Sequence, residues 1–456
     1  MDTTLAPSPP APAHPADVVA ETLERLRVTH GVVGAQLAID RAGEVREAAS
    51  GILNVELGNA ATTDALFQIG SITKVYTATL VMQLVDEGLV DLDAPVVSYV
   101  TDIPSAEPER MARVTVRQLL THSSGIEGDV FTDTGVGDDC IEKYVASLGD
   151  IGFVHEPGAT TSYSNTGYVL AGRLVEVVTG QVWDDALRDR LLAPLGLTHT
   201  QTRAERMPRF AVAHGHTPAD GGFDLVPNWQ IPRSSGPAGI IAARARDVAA
   251  FERMHLADGV GSNGARVLSP QAAREMRREQ SPAPELSRRG LGWGFGDWSD
   301  DSFGHDGSTY GQLAYSRVLP THDLVIVLLT NGGDGQALFD DLARELLAAE
   351  VELPEPLSPP DPLPVVDTSR FEGTYRRLGT TFRLRADGDV VRGEISQDGD
   401  QSTTGAAATL QLDILPTGPD SFMTRVYGAS WFAGRLLDID GERYLHFAGR
   451  ANRRVA

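Results

Sequence analysis

Lysine is almost absent. The 456 residues hold 39 Lys and Arg together, and only Lys74 and Lys143 are lysine. Nearly every positive charge is therefore a guanidinium, which keeps its proton. Any amine that must act as a base has two positions to come from. Cysteine is scarcer still: the single Cys140 excludes an internal disulfide, leaves no cysteine-based metal site, and reads as a buried inert thiol. Long apolar runs are missing too. The longest, Leu324 to Leu329, suits a buried strand and falls far short of a membrane span. The first sixteen residues, MDTTLAPSPPAPAHPA, lack a basic segment followed by an apolar one. They read as a disordered Pro/Ala tail, not a signal peptide, which leads to an expected cytoplasmic location. A net charge of −23 repels phosphate backbones and anionic membrane surfaces, so neither nucleic acid nor membrane is expected as a partner.

A chain this long exceeds the size of a single core, so two to three structural units are expected, and no internal repeat is visible. Helical spacing runs over Asp17 to Val28, and alternation in Gly34 to Ile39 before the turn at Arg41 to Glu44 predicts a hairpin. A mostly buried helix is predicted over Ser71 to Glu87, stopped by Gly88, with further helices at 116–121, 167–179, 183–192 and 245–255. Strands at 311–319 and 322–330 form an antiparallel pair, closed by a helix over 336–350. Strands at both ends with helices between them describe an α+β domain over 17–350. The Pro-rich segment 351–366 reads as a linker. After it, residues 367–456 show short alternating runs (381–385, 390–395, 409–414, 422–427, 431–437 and 443–447) split by turns such as Asp387-Gly388 and Asp440-Gly441. That pattern predicts a small all-β barrel or sandwich.

One of the two lysines stands three residues after a serine, in Gly70-Ser71-Ile72-Thr73-Lys74. At a helix start, residues i and i+3 share a face, so the amine is presented to a hydroxyl that is a poor nucleophile on its own. This is the S-x-x-K spacing of acyl-serine enzymes. About ninety residues on lies Ser162-Tyr163-Ser164-Asn165. A phenol of depressed pKa near an ammonium could move the serine proton, and the Asn165 amide could orient an acyl chain. Third comes Gly304-His305-Asp306-Gly307-Ser308, read as a turn before the strand from Gly311. An exposed His305 is a candidate acid or base, Gly307 would let a substrate lie along the strand edge, and a backbone N–H there would help hold an oxyanion. Each of the last two, taken alone, is equally the composition of an ordinary turn.

Together, Ser71-x-x-Lys74, Tyr163-x-Asn165 and His305-x-Gly307 fall in the order and spacing of the penicillin-binding-protein and class C β-lactamase-like serine hydrolases, which residues 17–350 resemble. Leu119 to Gly125, Tyr163 to Tyr168 and Pro194 to Leu197 carry the same resemblance. It implies a domain with an antiparallel sheet and a helical region, Ser71 as nucleophile, Lys74 and Tyr163 handling protons, and the N–H groups of Ser71 and Ser308 as oxyanion hole. It implies no metal and no organic cofactor. The chain departs from the family in one place: His305-Asp306-Gly307 stands where Lys-Thr-Gly is usual, so a fixed cation for a substrate carboxylate is missing. Together with the absent leader, this weighs against a β-lactam hydrolase or cell-wall D,D-peptidase.

The chain is especially similar to the penicillin-binding-protein-type thioesterases, which cyclise nonribosomal peptides and end in a small lipocalin-like β domain. The resemblance implies transfer of a peptidyl thioester with a C-terminal D-residue to Ser71, then head-to-tail release. It further implies that Arg450 of Gly449-Arg450 reaches the active site and contacts substrate. Delivery by a peptidyl carrier domain requires a docking surface, and Arg274, Arg277, Arg278, Arg288 and Arg289 offer a basic one. Two alternatives stay open: a cytosolic esterase or D-stereospecific aminopeptidase or amidase of the same fold, and a non-catalytic binding protein on this scaffold.

Overall fold

The computed structural model describes residues 15–455, apart from 102, 284–285, 297, 389, 399–407 and 427–430. Most of the expected N-terminal tail, residues 1–14, and the end of the run expected at 422–427 thus lie outside the described residues. The first helix, Pro15–Thr29, opens two residues inside that tail. Proline is favourable there, because its missing N–H is unpaired in a first helical turn anyway.

A six-stranded antiparallel sheet joins the two ends of the first domain. Strand Gly34–Arg41 lies between Glu44–Gly51 and Leu324–Thr330, followed outward by Gln312–Leu319, Phe303–Thr309 and the two-residue strand Gly294–Phe295. Leu324–Thr330 is buried along its whole length. Its alternate residues explain why no polar alternation shows in the sequence. Val325, Val327 and Leu329 enter the larger core with the helical region, whereas Leu324, Ile326 and Leu328 face Leu23, Leu26, Phe339 and Leu342 of the two terminal helices. Both faces are covered, so both sets must be apolar. Within the helical region, helix Thr73–Asp86 is buried on nearly every side and packs on Asn165–Thr179. A helix so placed is hydrophobic all round. No helix among the described residues is long and apolar enough to cross a membrane.

The second unit is a closed antiparallel barrel of eight strands running from Gly373–Arg377 to Arg450–Arg454. Its first and last strands were not expected from the sequence. Phe371, Tyr375, Phe382, Phe422 and Phe447 fill the interior. Closure gives each strand of this unit a neighbour on both sides.

Candidate active site

Ser71 sits in a single 3-10 turn, Gly70–Ile72, that runs directly into helix Thr73–Asp86. The turn is wedged against strand Phe303–Thr309. A Cβ on Gly70, whose φ is +50°, would lie 2.5 Å from the Ser308 nitrogen; one on Gly307 would overlap the Ile69 carbonyl and sit 3.0 Å from the Ser71 nitrogen. Two glycines therefore let two backbones touch, and the amides of Ser71 and Ser308 lie on those apposed backbones. Gly307 is required for this contact, a different reason from the substrate clearance expected of it.

Lys74 is fully buried one turn along, with Nζ 2.9 Å from Ser71 Oγ and donating to the Ala238 carbonyl at 2.6 Å. Burial pushes its pKa well below the ordinary lysine value, and the charges of Arg450 and Arg289 push the same way against Asp129. This shift favours the free amine, whose lone pair is placed to face the serine proton.

The expectation of an acidified Tyr163 is overturned. Burial drives the phenol up to about 12, against smaller opposing effects from its hydrogen bond with Ser71 and from Arg450 and Arg289. Desolvation wins because the phenolate would lose more hydration than these partners return. Tyr163 is therefore a neutral donor beside a neutral amine, suited to passing a proton on. Its ring lies 4.8 Å from Lys74 Nζ and stacks on His122, with ring centroids 4.2 Å apart. His122 was not singled out from the sequence. It adopts φ +59°, and its Nδ1 accepts the Ser164 N–H at 3.0 Å, which requires a neutral imidazole; burial holds its pKa well below the usual range.

His305 is neither exposed nor in a turn. It lies within strand Phe303–Thr309, paired opposite Ser316, and is 7% exposed. Burial, with Arg289 and Lys74 nearby, takes its pKa down to about 3. Its Nδ1–H donates to the Asp306 carbonyl at 2.6 Å, and Nε2 is left as a buried acceptor without a partner among the described residues. A group this hard to protonate is no general acid, but its lone pair lines the pocket.

Asn165 begins helix Asn165–Thr179, whose N-cap Ser164 accepts from the Gly167 N–H. Its Nδ2 donates to Asp129 Oδ1 at 2.9 Å. Asp129, likewise unforeseen, gathers three elements. Arg450 binds it through Nε at 2.7 Å and Nη2 at 3.0 Å, and Arg377 reaches it at 3.1 Å. Burial opposes its ionisation, yet the two guanidiniums and these hydrogen bonds bring its pKa down to about 2. Arg450 does reach the site, 5.0 Å from the centre of the Tyr163 ring, but its fork is held by Asp129. The barrel also grips the tyrosine loop through backbone, with the Tyr163 N–H donating to the Gly449 carbonyl at 2.9 Å.

The expected basic surface is locally neutralised. Arg274 and Arg277 share Asp258, Arg278 pairs with Glu275, and Arg288 with Glu279. Arg289 turns into the pocket instead.

That pocket encloses about 810 Å³ between Ser71, Tyr163, Asn165, the strand Gly304–Thr309 and the barrel residues Phe432 and Ala448–Arg450. A serine, a buried lysine one helical turn away and a tyrosine bonded to that serine form the constellation of an acyl-transfer site, on an α+β scaffold whose sheet carries helices on both faces. The chain belongs to the β-lactamase family, whose model matches residues 19–350 and whose members are serine hydrolases. Penicillin-binding protein 4 of Amycolatopsis lactamdurans is 46% identical over 371 residues, 79% of this chain and 97% of that protein. The structure of SurE with D-Leu superimposes with a TM-score of 0.76 at 27% identity, covering 96% of this chain and 99% of that one, barrel included. A D-amino acid amidase from Ochrobactrum anthropi SV3, complexed with L-phenylalanine amide, gives 0.61 at 27% identity over 73% of this chain and 97% of its own.

Proposed function

We propose that this protein is a stand-alone peptidyl thioesterase that loads a peptide ending in a D-residue onto Ser71 and releases it by head-to-tail cyclisation. The observation that carries the reading is the barrel wall. Gly449 and Arg450 close one side of a pocket large enough for several residues, and Phe131, Ile231, Phe295 and Phe432 give it apolar lining that disfavours free water. Lys74 takes the Ser71 proton as the hydroxyl attacks the thioester carbonyl, and the N–H groups of Ser71 and Ser308 receive the developing oxyanion. The thiol departs with a proton relayed through Tyr163. The peptide's own N-terminal amine then attacks the ester. His305 Nε2, an acceptor lining the pocket, is placed to accept a hydrogen bond from that amine, whose lost proton passes through Tyr163 and Lys74 to Ser71 Oγ as the lactam leaves. Likeness to SurE across the barrel, in a structure that contains D-Leu, supports the D-preference.

A second reading is hydrolytic release, which the likeness to a D-amino acid amidase favours. Acylation is the same in both, and only the final nucleophile differs. The deciding experiment is mass spectrometry of products from peptidyl thioesters ending in a D- or an L-residue, with Ser71→Ala as control. Serine-dependent cyclic product from D-ended substrates is expected; linear acid alone, from either series, would return the protein to the esterase and amidase class.

A further inference from the structure

Among the described residues, five charged side chains line the pocket: Arg288, Arg289, Asp306, Arg317 and Arg450. Four are compensated, Arg288 by Glu279 at 2.7 Å, Arg317 and Asp306 by each other at 2.5 Å, and Arg450 by Asp129. Arg289 is the exception. Its guanidinium has no carboxylate or other hydrogen-bonding side chain among the described residues, and it lies 5.9 Å from the centre of the Tyr163 ring. Glycines flank it: a Cβ on Gly294 would sit 3.3 Å from Nη1 and one on Gly449 3.9 Å from Nη2. The fork is thus left bare between the catalytic sheet and the barrel turn. A partly exposed guanidinium with no protein partner among the described residues keeps its donors available to an anion that enters the pocket. The guanidinium plane matches a carboxylate through two parallel hydrogen bonds.

We infer that Arg289 is a specificity-determining residue that receives a substrate carboxylate lying within about two residues' length of the carbonyl attacked by Ser71. The cation missing from the His305-Asp306-Gly307 strand is supplied from the segment preceding Gly294–Phe295. This rests on the acyl-serine reading above. The carboxylate can belong to the leaving group or to an acidic residue of the acyl chain, and matched substrates separate the two.

The test uses two pairs of D-ended peptidyl thioesters. One pair differs only in a leaving thiol that carries a carboxylate or a carboxamide, the other only in Glu or Gln as penultimate residue. In one pair the wild type should prefer the acid by about 10- to 100-fold in kcat/KM, mostly through KM, as a charge-assisted hydrogen bond implies. Arg289→Leu should bring that ratio to near one, and Arg289→Lys should restore part of it. No preference in either pair, or an equal loss for acid and amide in Arg289→Leu, overturns the proposal. A wild-type measurement stands independently of how the variants fold: N-acetyl-D-leucine should inhibit more strongly than its amide, and equal inhibition also refutes the site. Intact-protein mass spectrometry keeps the two readings apart. Absence of Ser71 acylation sinks the acyl-enzyme itself, whereas acylation without charge preference sinks only the role of Arg289.

Discussion

The Tyr163 backbone N–H donates to the Gly449 carbonyl at 2.9 Å, so the last turn of the barrel holds the tyrosine of the catalytic domain. Ala451 N–H to Ser162 Oγ at 3.2 Å and His446 Nε2 to the Thr161 carbonyl at 3.2 Å flank that bond. The barrel therefore positions a site residue as well as walling the pocket.

Removing the two flanking links by Ser162→Ala with His446→Leu should cost roughly 1–3 kcal/mol in thermal unfolding, about one per bond. It should also slow acylation by about tenfold or more through misplacement of Tyr163. Unchanged acylation with lowered stability would show that the contact only fastens the two units together.

Lys74→Ala and Tyr163→Phe should each lower the rate of acylation, read by intact mass, about 10²- to 10⁴-fold, the usual worth of a positioned proton-transfer group. Small primary amines should partly rescue the first and not the second.

The pH dependence follows from the depressed lysine. The active form is the free amine, so kcat/KM should be lost as pH falls through the Lys74 pKa in the folded enzyme and stay flat above it. Because Arg289 and Arg450 both push that pKa down, Arg289→Leu should move the acid limb to higher pH. A shift to lower pH would contradict the assignment.

Gly307→Ala should abolish activity and lower the melting temperature, since the added methyl overlaps the Ile69 carbonyl and crowds Ser71. Gly222→Ala, at a glycine that likewise has no positive φ but has open space around it, serves as the control.

Asp129→Asn leaves Arg377 and Arg450 without their counter-charge and should destabilise by roughly 3–5 kcal/mol. In the wild type this carboxylate is depressed to about 2 from 3.8. Its contribution is complete above about pH 4 and disappears as pH falls through 2, so the acid-unfolding midpoint should lie at higher pH in the variant.

What was readable in the sequence was local. Ser71 and Lys74 are one helical turn apart, so their contact follows from spacing, and the apolar run 324–329 could only be a buried strand. Position across the fold was not readable. His122, Asp129 and Arg289 meet Tyr163 only through tertiary contacts, and in a chain so rich in arginine nothing marks Arg289 as the arginine left uncompensated among those described in the pocket. The pKa expectations for Tyr163 and His305 failed because burial sets both values. Gly373–Arg377 and Arg450–Arg454 escaped notice because runs such as RANRR carry no hydrophobic alternation: their registry comes from closing the barrel.

The short strand Gly294–Phe295 covers only Phe303 and Gly304, so residues 305–309, paired with Gln312–Leu319 on one side, have no strand on the other among the described residues, where the Gly70–Ile72 turn packs against Gly307. An unpaired edge beside a hydrophobic cleft invites the strand of another molecule and, with it, aggregation. Here the Ala448–Arg450 turn stands across the cleft from that edge. The turn that walls the pocket thus also stands where a second molecule's strand would have to enter.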